Sequence, residues 1–123
     1  MSRKTLYIVS GIADFMFATS FMFFPVFFWN LFGASVGANG IWIGRFMAAI
    51  IYGNVYMLWN LKDAPDSSKE ARWFSQRMIW DWLLIGIFIT IATVGGLYNV
   101  FGWITAGLCA VFTVLYAIDS FKK

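Results

Sequence analysis

The chain has 123 residues, of which 61% are hydrophobic and only 12% are charged, and its formal net charge is +3. Soluble domains contain roughly 45–50% apolar and about 25% charged residues, so a mean hydropathy of +0.74 excludes a soluble fold. The chain has no histidine and a single cysteine, Cys109, which excludes an intrachain disulfide. Because histidine is the commonest ligand of haem iron, copper and zinc, we expect no metal site and no His-ligated haem.

Four long apolar runs predict four transmembrane helices, over residues 6–28, 40–59, 78–97 and 101–121. Each run is about as long as the roughly 20 residues that a helix needs to cross the hydrocarbon core. The runs are continuous rather than alternating apolar and polar, which argues against a membrane β-barrel. Four spans with short connections use nearly all of the chain. The sequence therefore predicts one all-α membrane domain, an up-down bundle of four transmembrane helices.

The first predicted span carries an aspartate and a proline. Asp14 lies about eight residues, or roughly 12 Å, from the inner end, too deep for its short side chain to reach the headgroups. We expect it to face protein or a water-filled cavity, or to be protonated because it has lost its hydration. Ser10, Gly11 and Ala18 share its helical face, which suits contact with another helix. Pro25 is expected to kink or stop the helix.

The second predicted span carries Arg45 about five residues from its outer end. Arg45 either extends to the outer headgroups or binds loop carbonyls, or it faces the bundle and holds an anionic or carbonyl-bearing ligand. Tyr52 and Tyr56 lie along the same face of the span. If this face meets Asp14, the four side chains form a polar column that is either a ligand or proton-linked site or a structural contact. Asn54, on the opposite side, is expected to hydrogen-bond another helix.

The segment 60–77 is polar and charged, and Pro65 with Ser67 and Ser68 predicts a loop rather than a fifth helix. Eight of the nine Lys and Arg residues, all but Arg45, lie before the first span, in this loop or after the fourth span. The other two connections carry none. The positive-inside rule therefore predicts that both termini are cytoplasmic. We assign the basic charge to this topology and to attraction for lipids, and expect no nucleic-acid partner.

The third predicted span begins with charged and aromatic residues. Arg77 and Asp81 are four residues apart and predict an ion pair at the cytoplasmic interface. Trp80 and Trp82 flank Asp81 and are expected in an interfacial aromatic belt. Asp119, near the cytoplasmic end of the fourth span, is expected to be solvated.

Small residues recur four apart in the spans, a spacing that lets helices approach closely in lipid. The pattern predicts packing within the bundle or, alternatively, a seam between two copies. These residues are Gly40, Gly44 and Ala48 in the second span and Gly102, Ala106 and Ala110 in the fourth, and Gly11 and Ala18 on the Asp14 face of the first span are also predicted to pack.

Three stretches, FPVFFWNLFGA, IGRFMAAIIYGNVYMLW and YNVFGWITAGLCAVFTVLYAI, cover much of the chain. Their layout resembles the DoxX-like group of small four-helix membrane proteins. That group often has a Phe- and Pro-rich first helix leading to LFG, an Arg followed by small residues and a Trp in the second, and an N-x-x-GW start to the fourth. Most members have no assigned activity and a few are membrane partners of quinone-linked redox proteins, so the resemblance implies an accessory role of that kind, and it singles out Arg45. The matching positions are Pro25, Leu31 to Gly33, Arg45, Ala48, Ala49, Gly53, Trp59, Asn99, Gly102 and Trp103.

The chain is also similar to the small multidrug transporter family in its four spans and its acidic residue, Asp14, early in the first. That family uses Glu at this place. Some of its members also have a weak charge bias, so that two copies insert in opposite directions. The bias of eight basic residues to none argues against such dual topology here, although not against a parallel dimer.

Two functions remain open at this point. The first is a non-enzymatic accessory or scaffold subunit that packs against lipids, other membrane subunits or a second copy. The alternative is a small proton-coupled transporter or ligand-binding membrane protein that uses Asp14, Arg45, Tyr52 and Tyr56. An enzyme ranks third, because no nucleophile–base pair or metal cluster can be assembled from these residues.

Overall fold

The computed structural model describes residues 1–122, in which five helices and no strands occur. Four of the helices are long and apolar enough to cross a membrane, which confirms the prediction of an all-helical chain with four long apolar helices. Lys123, one of the basic residues counted above, lies outside the described residues. The helices are α1 (Arg3–Phe23), α2 (Pro25–Leu31), α3 (Ala38–Leu61), α4 (Lys69–Val94) and α5 (Val100–Ser120).

Pro25 divides the first predicted span into two helices. α1 ends at Phe23 and the short helix α2 begins at Pro25. Proline has no amide hydrogen, so the carbonyl of Phe21 loses its helical partner and the chain turns here. The predicted span 6–28 is therefore a long helix followed by the start of a short one.

The connection between α3 and α4 is shorter than predicted, because it covers residues 62–68 rather than 60–77. Ser68 starts α4 as an N-cap, since its Oγ accepts a hydrogen bond of 3.2 Å from the amide of Ala71. The polar stretch from Lys69 onward thus forms the first turns of α4. Because this stretch is highly charged, the sequence predicted a loop there, although the helix extends beyond the apolar run.

α1 packs mainly against α3, and α4 packs mainly against α5, whereas α3 and α4 do not pack closely together. Contacts between α1 and α5 join the two pairs. The interior consists of two apolar clusters. The larger contains Leu6, Tyr7, Leu58, Phe74, Met78, Trp82, Cys109, Phe112 and Tyr116. The smaller contains Ala18, Phe21, Phe28, Phe32 and Ala48.

Several of the predicted small residues lie where helices approach one another. Ala18 and Ala48 are fully buried between α1 and α3. A Cβ atom added to Gly44 would lie 3.4 Å from the ring of Phe21. A Cβ added to Gly102 would overlap the hydroxyl of Thr93, which is tighter than any real contact.

The remaining predicted packing residues do not lie at the closest approaches between two helices. Ala110 is exposed, and Ala106 is only partly buried. Gly11 faces Leu58 at ordinary contact distance, and Gly40 lies against the side chain of Val36 in the preceding connection. The part of the small-residue pattern at Ala110 therefore does not serve packing within this chain.

The close approach of α4 and α5 occurs at a residue that the pattern did not include. A Cβ added to Gly86 would lie 2.9 Å from Cβ of Cys109. Cys109 is buried, in agreement with a packing role for a lone cysteine.

A buried ion pair joins the start of α1 to the end of α5. Arg3 Nε lies 3.0 Å from Asp119 Oδ2, and both side chains are only 2% exposed. Ser75 Oγ donates to the same oxygen at 2.6 Å, and the Tyr7 hydroxyl lies 2.6 Å from Ser75 Oγ. Arg3 Nη1 also donates to the Pro65 carbonyl at 2.6 Å. The expectation that Asp119 is solvated is therefore wrong, because Arg3 of α1 and Ser75 of α4 bind its buried carboxylate.

Trp82 lies in the core rather than in an interfacial belt. It is 5% exposed, and its ring stacks on Phe112 with centroids 4.7 Å apart, whereas Trp80 is 62% exposed. Side chains two positions apart on a helix point about 200° away from each other, so Trp80 and Trp82 cannot both face the lipid. Arg77 Nε and Asp81 Oδ2 are 4.0 Å apart, which agrees with the predicted ion pair.

Candidate functional site

A cavity of about 510 Å³ lies between α3 and α4, where these helices do not pack together. Its volume lies within the roughly 300–1,000 Å³ of typical ligand sites. We call it the α3–α4 cleft. Residues of all five helices line it, and most of them are aromatic or aliphatic. The polar lining residues are Asp14, Asn54, Arg77, Asp81, Tyr98 and Thr105.

Asp14 contributes a buried carboxyl group to this cleft. Its side chain lies on the α1 face that also carries Ser10 and Ala18, and the residue is 7% exposed. Within residues 1–122, its Oδ2 has no hydrogen-bond partner. A polar atom buried without a partner costs free energy, which makes Asp14 an unusual group in the wall of an apolar cleft.

Asn54 shares the cleft with Asp14, a role that the sequence did not suggest. It is 8% exposed and lines the same cavity. The sequence places Asn54 on the side of α3 opposite Arg45, away from the predicted polar column. A polar residue on that side of a span was the available signal that the opposite face also lines a site. Arg77 and Asp81 add one further charge of each sign to the lining.

Arg45 does not line the cleft. Its Nε donates to the Met22 carbonyl at 3.2 Å, and its guanidinium carbon lies 4.7 Å from the centroid of the Trp42 ring. Carbonyls in the last turn of a helix lack helical partners, and α1 ends next to Met22. Of the alternatives for Arg45, the structure therefore shows the binding of a main-chain carbonyl.

The predicted polar column does not assemble. The Tyr52 hydroxyl lies 2.9 Å from Thr19 Oγ1, and Tyr56 is 69% exposed. α3 instead turns Gly44 and Ala48 toward α1. The closest contact with α1 is thus made by the predicted packing residues Gly44 and Ala48, because the smallest side chains permit the closest approach.

Aromatic side chains line one end of the cleft. Trp29 stacks on Tyr98 with centroids 5.8 Å apart, and it lies 5.6 Å from Phe21. The rings of Phe32 and Tyr98 are T-shaped to each other with centroids 5.4 Å apart, and the amide of Asn99 donates to the Phe32 carbonyl at 2.9 Å. Burial raises the pKa of the Tyr98 phenol above its usual range.

Within the part of the chain that the structure describes, no three His, Cys, Asp or Glu side chains stand close enough together to hold a metal ion. No protein-family model matches the sequence, and no curated protein or solved structure shows significant similarity to it. The resemblance to the DoxX-like group therefore stays a hypothesis.

Proposed function

We propose that the chain is a multi-pass integral membrane protein whose four long helices cross in alternate directions, with both termini cytoplasmic. The eight-to-none distribution of basic residues supports this orientation. The facing pairs Gly11 with Leu58 and Phe21 with Gly44 support opposite directions for α1 and α3, and the Arg3–Asp119 pair supports a common side for the termini.

A single introduced cysteine tests this orientation. In a Cys109→Ala background, Asp66→Cys in intact cells should resist a membrane-impermeant maleimide, whereas Ser35→Cys should react. The opposite pattern would contradict cytoplasmic termini.

We further propose that the protein binds an apolar molecule from the bilayer in the α3–α4 cleft. The observation that carries this proposal is a cavity of about 510 Å³ whose walls are mostly apolar and include the acidic residue Asp14. Ile50 of α3 and Ile85 of α4 are exposed and line the cleft, so a ligand enters sideways from the hydrocarbon.

Asp14 is the polar contact for this ligand. Such a buried carboxyl also suits a proton-linked site, as in the alternative function, because loss of hydration favours its neutral form. Arg45, Tyr52 and Tyr56 take no part in this proposal, since none of them lines the cleft.

A second candidate function is an accessory subunit, including one that serves a redox or quinone-linked complex. Large apolar side chains flank the cleft on α3 and α4, among them Ile50 and Phe88, which are 63% and 67% exposed. In this case a helix of the partner covers the cleft. The expectation of a non-enzymatic role likewise stays a prediction.

The two candidate functions predict different molecules bound to the chain after its extraction from the membrane. We expect particles extracted in lipid nanodiscs to contain one or two copies of the chain with a stoichiometric small molecule, as measured by native mass spectrometry. A stoichiometric larger protein without a bound small molecule would contradict ligand binding and establish the accessory role.

A further inference from the structure

A second apolar groove runs between α1 and α3, near the start of α1 and the end of α3. Its volume is about 270 Å³, and it shares no lining residue with the α3–α4 cleft. Tyr7 and Leu58 are buried and form part of its wall. Ile12, Phe15 and Trp59 also line it and are exposed. The groove is therefore open sideways to the hydrocarbon of the bilayer.

The groove is elongated along the two helices. Its lining residues fall between positions 7 and 15 of α1 and between positions 55 and 62 at the end of α3. Seven or eight residues of helix extend over about 10–12 Å. A Cβ added to Gly11, near the middle of the groove, would lie 3.8 Å from Leu58 Cδ1, and glycine has no side chain to fill the space. This shape suits a segment of a hydrocarbon chain.

One end of the groove carries a lysine and a tryptophan. Lys62 directly follows the last residue of α3, and its ammonium lies 4.5 Å from the centroid of the Trp59 ring. Tryptophan is enriched at the depth of the lipid headgroups, which places Lys62 at that depth too. Within residues 1–122 the ammonium makes one hydrogen bond, of 2.6 Å, to Asp63 Oδ2. Because an ammonium has three N–H donors, Lys62 can also bind a ligand.

The charges at this end of the groove leave an excess of one positive charge. Lys4 Nζ lies 3.2 Å from Asp63 Oδ1, so Lys4 and Lys62 share one carboxylate. Hydrogen bonds from Lys62 and Lys4 hold the pKa of Asp63 below its usual range, so this carboxylate is charged at neutral pH. Two ammonium groups and one carboxylate together attract an anion.

Independently of the α3–α4 cleft, we propose that this groove binds an anionic phospholipid from the leaflet on the side of the termini. One acyl chain lies in the groove, and the phosphate accepts a hydrogen bond from Lys62. The volume is slightly below the roughly 300–1,000 Å³ of sites that enclose a whole small molecule, which agrees with one chain of a two-chain lipid. A zwitterionic lipid carries its own cation beside the phosphate, so it does not balance the excess charge.

Photolabelling in phosphatidylcholine nanodiscs tests this site. The probe is phosphatidylglycerol with a diazirine in one acyl chain, and we expect saturable labelling of Ile12 and Phe15. Unlabelled phosphatidylglycerol should compete with the probe, whereas soluble glycerol phosphate should not. One Lys contributes about 1 kcal/mol to the attraction of an anionic lipid, so a phosphatidylcholine probe with the same chain should label about five-fold less at equal mole fraction.

Two variants separate the headgroup contact from the chain contact. Lys62→Gln should reduce labelling by the anionic probe about five-fold and leave labelling by the phosphatidylcholine probe unchanged. The matched control is Lys69→Gln, an exposed lysine outside the groove, which should change neither. Gly11→Leu places a side chain in the groove and should reduce labelling by both probes.

Equal labelling by the two probes, in the original chain and in Lys62→Gln, would overturn the inference, because the groove would then be ordinary lipid-facing surface. Competition by glycerol phosphate as effective as that by the lipid would overturn it in favour of a soluble phosphate. Absence of labelling in a dimer would also overturn it, because a second copy of the chain would then cover the groove. None of these results would affect the proposed site in the α3–α4 cleft.

Discussion

Replacing Asp119 with alanine is expected to lower the free energy of unfolding by about 3–5 kcal/mol, the usual cost of breaking a buried ion pair. Asp119 is 1% exposed and accepts hydrogen bonds from Arg3 at 3.0 Å and from Ser75 at 2.6 Å. Without the carboxylate, the Arg3 guanidinium stays buried with an uncompensated charge. α1 and α5, which Arg3 and Asp119 connect, would separate at their ends.

Equilibrium unfolding in mixed micelles measures this loss. The control is Asp66→Ala in the α3–α4 connection, an exposed acidic residue whose replacement should change stability by less than about 0.5 kcal/mol. The double variant Arg3→Met with Asp119→Leu should recover most of the loss, because it removes both charges and keeps the volume. A change in the Asp119→Ala variant no larger than that in the control would contradict the structural role of the pair.

The number of long apolar helices followed from sequence, because hydrocarbon thickness sets a minimum apolar length. The burial of Asp14 followed in the same way from its depth. The turn at Pro25 was also predictable, since proline removes a main-chain donor wherever it stands.

The rotation of each helix about its axis was not predictable, and every wrong assignment of a site residue follows from it. Apolar residues surround the spans on all sides, so hydrophobicity does not mark the face that turns inward. Trp82 and Trp80 look alike in sequence, yet only Trp82 is buried. Gly44 and Arg45 are neighbours, and the packing of α1 selects the face of Gly44.

The Arg3–Asp119 pair was missed for a different reason. Its members are 116 residues apart, so no helical spacing connects them. The available signal was that both residues are charged and lie at the same predicted end of the bundle. A charged residue near a helix end can equally well be exposed to solvent. Only the packing of α1 against α5 distinguishes a buried ion pair from two solvated charges.

Narrowing the α3–α4 cleft is expected to abolish most of its ligand binding. Ile85→Trp places a larger side chain at a residue that lines the cleft, and overpacking of this kind costs about 1–3 kcal/mol. A cost of 1.4 kcal/mol weakens binding about ten-fold. Ile87→Trp is the matched control, since Ile87 lies on the same helix outside the cleft and is 45% exposed, against 41% for Ile85.

The most direct measurement of a binding site in the cleft is photolabelling in nanodiscs with a long-chain hydrocarbon that carries a diazirine. We expect saturable labelling of residues along α3 and α4, including Met47 and Phe88, which unlabelled hydrocarbon competes away. Ile85→Trp should reduce this labelling about ten-fold, and Ile87→Trp should leave it unchanged. Labelling that rises linearly with probe concentration and is equal in all three proteins would show that the cleft is ordinary lipid-facing surface, which would contradict the account.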